Sequence, residues 1–386
     1  MHIRTFIFLA IVFAWQTLVC HAQWIEDPTA DSHIRKGINF VYNLSFDSAR
    51  AEFQIVANAY PNHPAGHFFV AMVEWWQIIT DFENKSRDKK FIRMLDNVIY
   101  LCDKRLDEDE NDITALFFKG GSLGFQGRLY GNREDWLKAA NCGREALPIV
   151  LKAYKLAPNN NDILLGMGIY NYYAAVIPEL YPWVKPIMLL FPKGDKIEGL
   201  NQLKIASNNA RYANIEATYF LLQVYQNFEN SYQEALQLAL KLHSMFPNNV
   251  IFHKYVGRCY VTLSKWDEAH RIFSQILENV KSKKVGYDLI TEREANYYIA
   301  QAEMNFGKYE NALQYLYRTD ELSRILDTKE ISGYMVYTNL KIGMIYDLQG
   351  KRDLAIMQYK KVLKMKNYQD SRKQAERYIK TPYKNS

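Results

Sequence analysis

Residues 235–269 read ALQLALKLHSMFPNNVIFHKYVGRCYVTLSKWDEA, and their spacing of apolar and small residues is the strongest indication of the fold. It starts with an alanine that is followed by apolar residues at +4 and +7 and by a proline at +12: Ala235, Ala239, Leu242 and Pro247. Apolar residues at steps of three and four are typical of one face of an α-helix. Proline lacks a backbone N–H, so it predicts the end of that helix.

The same spacing, with or without the proline, recurs along the chain. It starts at six further positions: Ala49, Ala146, Gly199, Ala269, Ala312 and Ala355. Twelve residues before three of these alanines stands a small residue, which we expect to open a partner helix: Gly257, Ala300 and Gly343. Small residues let two antiparallel helices approach closely. The pattern therefore predicts repeated helical pairs.

Together these residues resemble the tetratricopeptide repeat, whose period is about 34 residues. The step from Ala235 to Ala269 is 34 residues, and the two following steps are 43 residues each, which predicts added turns or longer loops. The resemblance implies an all-α chain, a tetratricopeptide-repeat (TPR) α-solenoid of about eight helical pairs. Residues 66–82 and 89–106 are counted as one pair on length and apolar periodicity, and residues 372–379 predict a short capping helix.

A proline-rich apolar insert interrupts the array. Residues 176–192 read VIPELYPWVKPIMLLFP, and their four prolines predict a break in the helix. We expect the insert either to fold over the groove of the solenoid as a lid or to contact a membrane surface. The runs GHFFVAMVEWW (66–76) and ALFFKGGSLGFQGRLYGNREDWLKAA (115–140), with residues 164–206, also resemble a group of exported bacterial TPR proteins without an assigned activity.

The first segment has the features of a secretory signal peptide. Arg4 precedes an apolar run, and Cys20 and Ala22 place small residues at −3 and −1 of a cleavage site. Residues 1–22 are therefore predicted to be removed, which indicates a periplasmic or secreted protein. The rest is divided into a helical array, 23–369, and a basic cap or tail, 370–386.

The net charge is +6, but its distribution along the chain argues against a nucleic-acid partner. Arg4 lies in the signal peptide, and residues 364–386 hold seven basic and two acidic side chains, so the repeat body is neutral. Binding of nucleic acid requires a clustered basic face. The remaining cysteines show neither a disulfide framework nor metal-ligand spacing: Cys102, Cys142 and Cys259. Buried thiols are expected, one bridged pair being the alternative, and no cofactor or metal is predicted.

Two polar constellations are candidate sites. On the apolar helix 66–82 one stripe is polar, because steps of seven residues nearly close two helical turns: His67, Glu74, Gln77 and Asp81. It predicts a structural hydrogen-bond network or, with Arg133, a small-molecule or hydrolytic site. Glycines at 120–131 lack the Lys-Ser/Thr of a phosphate loop and indicate close packing. A polar loop is expected after them, suited to a ligand or to a salt-bridged turn: Arg128, Arg133, Asp135 and Trp136.

The repeat resemblance also implies a concave binding face. In its register this face includes Phe220, Val224, Lys254, Arg258, Tyr297, Gln301 and Met344. The clamp that this family uses for chaperone tails has Asn four residues after Lys, and Arg258 stands in the place of that Asn. No catalytic motif of the G-x-S-x-G, H-E-x-x-H or C-x-x-C type is present. The leading hypothesis is a non-catalytic scaffold that binds a protein or peptide, with envelope or membrane-surface assembly as the alternative.

Overall fold

The computed structural model describes residues 25–182, 185 and 191–384, and this part of the chain contains 17 α-helices and no strand. The predicted signal peptide, 1–22, and seven residues of the insert, 183–184 and 186–190, lie outside the described residues. The helices are α1 (Pro28–Tyr42), α2 (Phe46–Ala59), α3 (Pro64–Thr80), α4 (Asp88–Glu108), α5 (Ile113–Asn132), α6 (Trp136–Leu156), α7 (Ile163–Leu180), α8 (Lys196–Asn209), α9 (Asn214–Asn227), α10 (Tyr232–Met245), α11 (Val250–Thr262), α12 (Trp266–Lys281), α13 (Leu289–Asn305), α14 (Tyr309–Leu326), α15 (Gly333–Leu348), α16 (Arg352–Leu363) and α17 (Ser371–Lys380).

Consecutive helices pair and stack, so the predicted TPR α-solenoid is confirmed. Helices α1 to α16 form eight antiparallel pairs, and α17 packs on the last pair. The pair predicted from periodicity alone consists of α3 and α4. Among the described residues, no helix has the length and apolar character that crossing a bilayer requires.

A glycine facing an aromatic ring holds several pairs together. A Cβ built on Gly37 would lie 2.3 Å from the ring of Phe53, and one on Gly343 would lie 2.5 Å from Tyr359. Each ring lies four residues after the alanine of the second helix, and only glycine leaves room for it. The expectation that these small residues open the first helix was wrong. Gly257 lies in the second half of α11, because the closest approach occurs where two helices cross and not where one begins.

A turn with positive φ links the two helices of most pairs. It falls five residues before the repeat alanine, as at Ser264 (φ 54°) and Gly307 (φ 73°). In the third pair the equivalent residue is Glu134 (φ 63°), which makes Ala139 the repeat alanine and not Ala146. The predicted register was wrong there because a shift of seven residues keeps the same face of a helix.

The solenoid curls until its first pair touches its fifth and sixth pairs. Asp31 on α1 accepts hydrogen bonds from Tyr212 Oη at 2.6 Å and from Arg211 Nε at 3.0 Å. Asn249 Nδ2, at the start of α11, donates to the backbone oxygen of Tyr42 at 2.8 Å. The first six pairs therefore form a closed ring around their inner space.

Aromatic side chains fill the centre of this closed part. The ring of Trp76 on α3 lies 5.8 Å from that of Tyr219 on α9 and 5.8 Å from that of Phe252 on α11. The ring of Tyr42 lies 4.8 Å from that of Trp76. Rings at these separations add edge and stacking contacts to the burial of apolar area. The high aromatic content of the sequence thus packs across the superhelix as well as between neighbouring repeats.

Candidate functional site

A cavity of about 320 Å³ lies on the inner side of the solenoid, where four first helices converge. Helices α3, α5, α9 and α11 line it, with residue 82 from the turn after α3. The lining residues are Ile79, Phe82, Arg128, Asn132, Tyr219, Gln223, Ile251, Lys254, Tyr255 and Arg258. We call this the concave cavity. Three of its side chains are cations, and none of the described lining residues is acidic.

Arg128 is fixed between two aromatic rings. Its guanidinium carbon lies 4.4 Å from the ring centroid of Phe220 and 4.9 Å from that of Trp75. Its Nη1 donates to Glu216 Oε1 at 2.6 Å, and Tyr42 Oη donates to the other carboxylate oxygen at 3.1 Å. Arginine held by rings and a carboxylate loses little further freedom when it binds a ligand.

The predicted position of Arg128 in a loop was wrong, because it lies inside α5. The glycine-rich stretch continues as helix to Asn132, since its glycines meet the next helix closely. A Cβ on Gly127 would lie 3.2 Å from the Cβ of Cys142, and one on Gly120 would lie 2.9 Å from Val150. Only the residues from Arg133 to Asp135 remain as the turn.

Lys254 and Arg258 lie one helical turn apart on α11 and share one carboxylate. Glu294 on α13 accepts from Arg258 Nε at 2.5 Å and from Arg258 Nη2 at 2.7 Å, and Lys254 Nζ lies 3.6 Å away. The Glu294 side chain is 3% exposed. Burial alone would raise the pKa of Glu294, but the two cations hold it below its ordinary value.

The charges around the concave cavity do not cancel. Arg128, Lys254 and Arg258 face the cavity, and their partners Glu216 and Glu294 supply two carboxylates behind them. One positive charge is left over in a partly desolvated site. Attraction for an anion is strongest in such surroundings, because the effective dielectric constant is lower than in water.

The rest of the lining combines amides, phenols and apolar groups. Asn132 and Gln223 bring hydrogen-bonding amides, and Ile79, Phe82 and Ile251 bring apolar surface. The tyrosine rings of residues 219 and 255 meet edge to face at 5.8 Å. A few polar groups on a mostly apolar wall are typical of pockets that orient a small ligand or a peptide side chain.

The inner face continues past the cavity into the last two pairs. The rings of Tyr297 and Tyr334 meet at 5.3 Å, and Lys341 Nζ lies 5.9 Å from the ring centroid of Tyr297. Burial among these helices lowers the pKa of Lys341 to about 8. Gln301 lies one turn after Tyr297 and is half-buried. The two predicted residues, Tyr297 and Gln301, therefore lie beside the concave cavity and not in it.

Not every residue of the predicted concave face points inward. Val224 is fully buried against Tyr172 and Val176, so its assignment to the groove was wrong. Helix α9 is enclosed by α7 as well as by α10, which leaves no free side at that position. Phe220 lies beneath the Arg128 guanidinium, and Met344 is half-buried in the core of the last pair.

The polar stripe of α3 is divided among separate surroundings. Glu74 is 0% exposed and accepts from Lys90 Nζ at 2.6 Å, Arg87 Nη1 at 3.0 Å and Arg50 Nη2 at 3.1 Å. The Arg50 and Arg87 guanidinium groups also donate to Gln77. Burial would raise the pKa of Glu74, but Lys90 and the two arginines lower it.

The remaining stripe residues lie apart from Glu74. His67 Nε2 donates to the backbone oxygen of Pro61 at 2.9 Å, and Asp81 accepts from Asn84 Nδ2 at 3.0 Å. Arg133 donates to Asp88 at 2.8 Å and 3.0 Å. The structure thus places Glu74 in a hydrogen-bond network and does not bring it together with His67, Asp81 and Arg133 in one pocket.

Two predicted site residues, one in the turn after α5 and one at the start of α6, have different surroundings. Besides its pair with Asp88, Arg133 Nη1 donates to the Phe82 backbone oxygen at 2.5 Å, and its guanidinium carbon lies 4.7 Å from the Phe82 ring centroid. Arg133 thus ties the third pair to the second. Trp136, at the first position of α6, is 61% exposed.

The described residues contain no group of three or more His, Cys, Asp and Glu side chains placed to hold a metal ion. Cys102, Cys142 and Cys259 are free and buried. Burial raises the pKa of both Cys102 and Cys259 to about 12, which keeps these thiols protonated. They belong to helix packing.

Several residues of the concave cavity are not evident from the sequence. Gln223 carries a usable signal, because it stands twelve residues before Ala235, where the repeat has a small residue. Asn132 and Phe82 carry none. They belong to the second and third pairs, which face the fifth and sixth pairs only because the solenoid curls.

Proteins similar to this chain are found among solved structures, at low sequence identity. No sequence profile of a known family matches the chain, and no curated protein is similar to it. Among solved structures the chain is similar to yeast Tom70, with 11% identity over 91% of this chain and 88% of that one and a TM-score of 0.38. It is similar to human IFIT1 in a dimer with m7Gppp-AAAA, with 13% identity over 93% and 86% and a TM-score of 0.45. Pseudomonas aeruginosa pilF shares 14% identity over 64% and 90%, with a TM-score of 0.40.

Proposed function

We propose that this protein is an exported, non-catalytic TPR scaffold that binds a short acidic peptide segment in its concave cavity. The observation that carries the proposal is the convergence of Arg128, Lys254 and Arg258 on one cavity with only two carboxylates behind them. Arginine recognises carboxylates through short, charge-assisted hydrogen bonds. A carboxylate in the cavity balances the remaining positive charge.

The size of the cavity limits the ligand. A volume of about 320 Å³ is at the small end for ligand pockets. It accommodates one acidic group with an adjacent apolar side chain, and not a whole helix. Ile79 and Ile251 form the apolar wall that the adjacent apolar side chain contacts. We therefore expect an acidic chain end or a single acidic side chain to enter, while the rest of the partner contacts the inner face.

The test introduces a negative charge and removes one local hydrogen bond, from Gln223 Nε2 to the Tyr219 backbone oxygen at 3.2 Å. In the Gln223→Glu variant a carboxylate replaces a cavity amide of the same shape. At about 6 Å and an effective dielectric constant of about 60, the repulsion of a ligand carboxylate is about 1 kcal/mol, or about fivefold in Kd. A fluorescein-labelled peptide ending in Ile-Glu, read by anisotropy, is the probe. The same peptide with amidated, neutral termini is its control.

The matched control variant is Gln237→Glu, the same change at an exposed position of α10 outside the concave cavity. We expect it to bind the probe like the unmodified protein. Equal binding by both variants, or equal binding of the charged and neutral peptides, contradicts a carboxylate-binding cavity.

The export part of the proposal rests on residues 1–22 and on the resemblance to exported bacterial TPR proteins. N-terminal sequencing of protein recovered from a fractionated bacterial host tests it. Gln23 as the first residue, in the periplasmic or medium fraction, is the expected result. An intact Met1 end in the cytoplasmic fraction contradicts it.

Attachment to a membrane surface through the insert is the second candidate. It is favoured by Leu180 and Tyr181, which end α7 and are 53% and 49% exposed. Exposed aromatic and aliphatic side chains suit a bilayer interface. Liposome flotation of a Leu180→Ser, Tyr181→Ser variant, compared with Ile55→Ser on the outer side of α2, is the test. Equal flotation of both variants contradicts it.

A further inference from the structure

A second cavity, of about 360 Å³, lies on the outer side of the second helical pair. Helices α2 and α4 form its walls and the first half of α3 its floor. Its lining residues are Gln54, His67, Val70, Lys90, Arg93, Met94 and Asn97. We call this the outer groove. It shares no residue with the concave cavity.

The outer groove has an excess of positive charge. Lys90 and Arg93 line it together with His67, and none of the described lining residues is acidic. Arg93 is exposed, and no carboxylate of the described chain pairs with it. A cation without a partner at the edge of a cavity is free to meet an anionic ligand.

The cations around Glu74 extend this excess along α3. Glu74 accepts from Arg50, Arg87 and Lys90, so one carboxylate is surrounded by three cations. Asp47 offsets part of the charge through Arg50, at 3.0 Å, but its own side chain is fully exposed. The Lys90 and Arg87 side chains are 52% and 39% exposed, so both retain donors that face solvent.

The shape of the outer groove suits an extended chain. His67 and Val70 lie about one helical turn apart on the α3 floor, and from Lys90 to Asn97 the α4 wall rises about 10 Å. With Arg87 about one turn before Lys90, an extended peptide of about five residues covers the length of the groove and its flanking cation. Val70 and Met94 provide an apolar floor, and the amides of Gln54 and Asn97 are available to backbone groups.

We propose that the outer groove binds an extended acidic peptide segment, separately from the concave cavity. Acidic side chains at alternate positions meet Lys90, Arg93 and Arg87, while the residues between them lie on Val70 and Met94. A free phosphate ion uses only the cations and gains nothing from that floor. The apolar floor together with the amides favours a peptide.

Binding of fluorescein-labelled, C-terminally amidated Glu-Leu-Glu-Leu-Glu to the full chain tests the proposal. The Arg93→Glu variant is expected to weaken binding by about tenfold in low salt, because two charges change close to the ligand. Arg144→Glu, the same change at an exposed arginine of α6, is the matched control and is expected to bind normally. Asn97→Lys adds a cation to the groove and is expected to tighten binding about threefold.

The remaining variants separate this site from the concave cavity. Gln223→Glu is expected to weaken binding of this probe less than Arg93→Glu does, and Gln54→Glu is expected to weaken it. Sensitivity to Gln223→Glu with indifference to Arg93→Glu overturns the outer groove and leaves the proposed function standing. If Met94→Gln has no effect and inorganic phosphate displaces the probe fully, the groove is a simple anion site and the peptide assignment is wrong.

Discussion

We expect two stacked histidines to make the stability of this protein sensitive to acid. The rings of His243 on α10 and His253 on α11 lie 4.4 Å apart and 9° from parallel. His253 is 3% exposed, and its Nδ1 hydrogen-bonds with Tyr287 Oη at 3.0 Å. Burial, reinforced by the His243 ring, lowers the pKa of His253 from 6.5 to about 3.

The direction of the effect follows from the two pKa values. The unfolded chain takes up a proton on His253 near pH 6.5, whereas the folded chain resists it until about pH 3. The contribution of His253 to stability is therefore complete above pH 6.5 and is lost as the pH falls towards 3. Between about pH 7 and about pH 5 the free energy of unfolding falls by about 2 kcal/mol from this residue. That is a large part of the stability of an ordinary domain, which is about 5–15 kcal/mol.

The assay is urea unfolding followed by far-UV circular dichroism at several pH values in that range. We expect the His253→Gln variant to lose about 2 kcal/mol less than the unmodified protein between about pH 7 and about pH 5. Comparing the losses removes the constant cost of the substitution itself. Phe252→Leu, at a buried neighbouring residue that does not titrate, is the control and should keep the unmodified pH dependence. A His253→Gln variant with the full acid sensitivity refutes the reasoning.

Two further substitutions test packing and closure. Gly343→Ala places a Cβ 2.5 Å from the Tyr359 ring, so we expect a loss of about 1–3 kcal/mol in urea unfolding. Gly124→Ala, with no atom within 4 Å of the new Cβ, should instead stabilise by about 0.5–1 kcal/mol. A similar change in both would contradict the close approach. Asn249→Ala removes the α11 cap and the bond to the Tyr42 backbone oxygen, and should cost about 2–4 kcal/mol. Hydrogen exchange should then rise in α1, and unchanged protection there would refute the closure contact.

The repeat architecture was predictable because its causes are local. Apolar spacing and small residues lie within one helix or two adjacent helices, so they leave a trace at short range in the sequence. The capping helix and the pair around Gly199 were found in this way. The register of the third pair was lost because Ala139 and Ala146 lie on the same helical face, and only the backbone turn at Glu134 distinguishes them.

The candidate site was predictable only in part. Lys254 and Arg258 follow from the repeat register, since that register sets which side of α11 faces inward. Arg128 was recognised as a candidate but was placed in a loop. The glycines near it suggest a flexible backbone in the sequence, whereas in the structure they allow close packing of two helices. Val224 is enclosed by residues of α7, a helix of the preceding pair, so the repeat that contains Val224 gives no indication of its burial.

The stacking of about eight helical pairs can be inferred from the amino-acid sequence alone, because each helix and each pair is specified by contacts between residues near in the chain. The sequence also shows where that regularity fails, at the insert and at Gln223. The curling of the solenoid is visible only in three dimensions, where Tyr42 meets Glu216 and Asn249, more than 170 residues away. The curl is the total of small rotations between neighbouring pairs, and the sequence of a single repeat does not specify that total. It brings Phe82 and Arg128 to Lys254, and so creates the concave cavity.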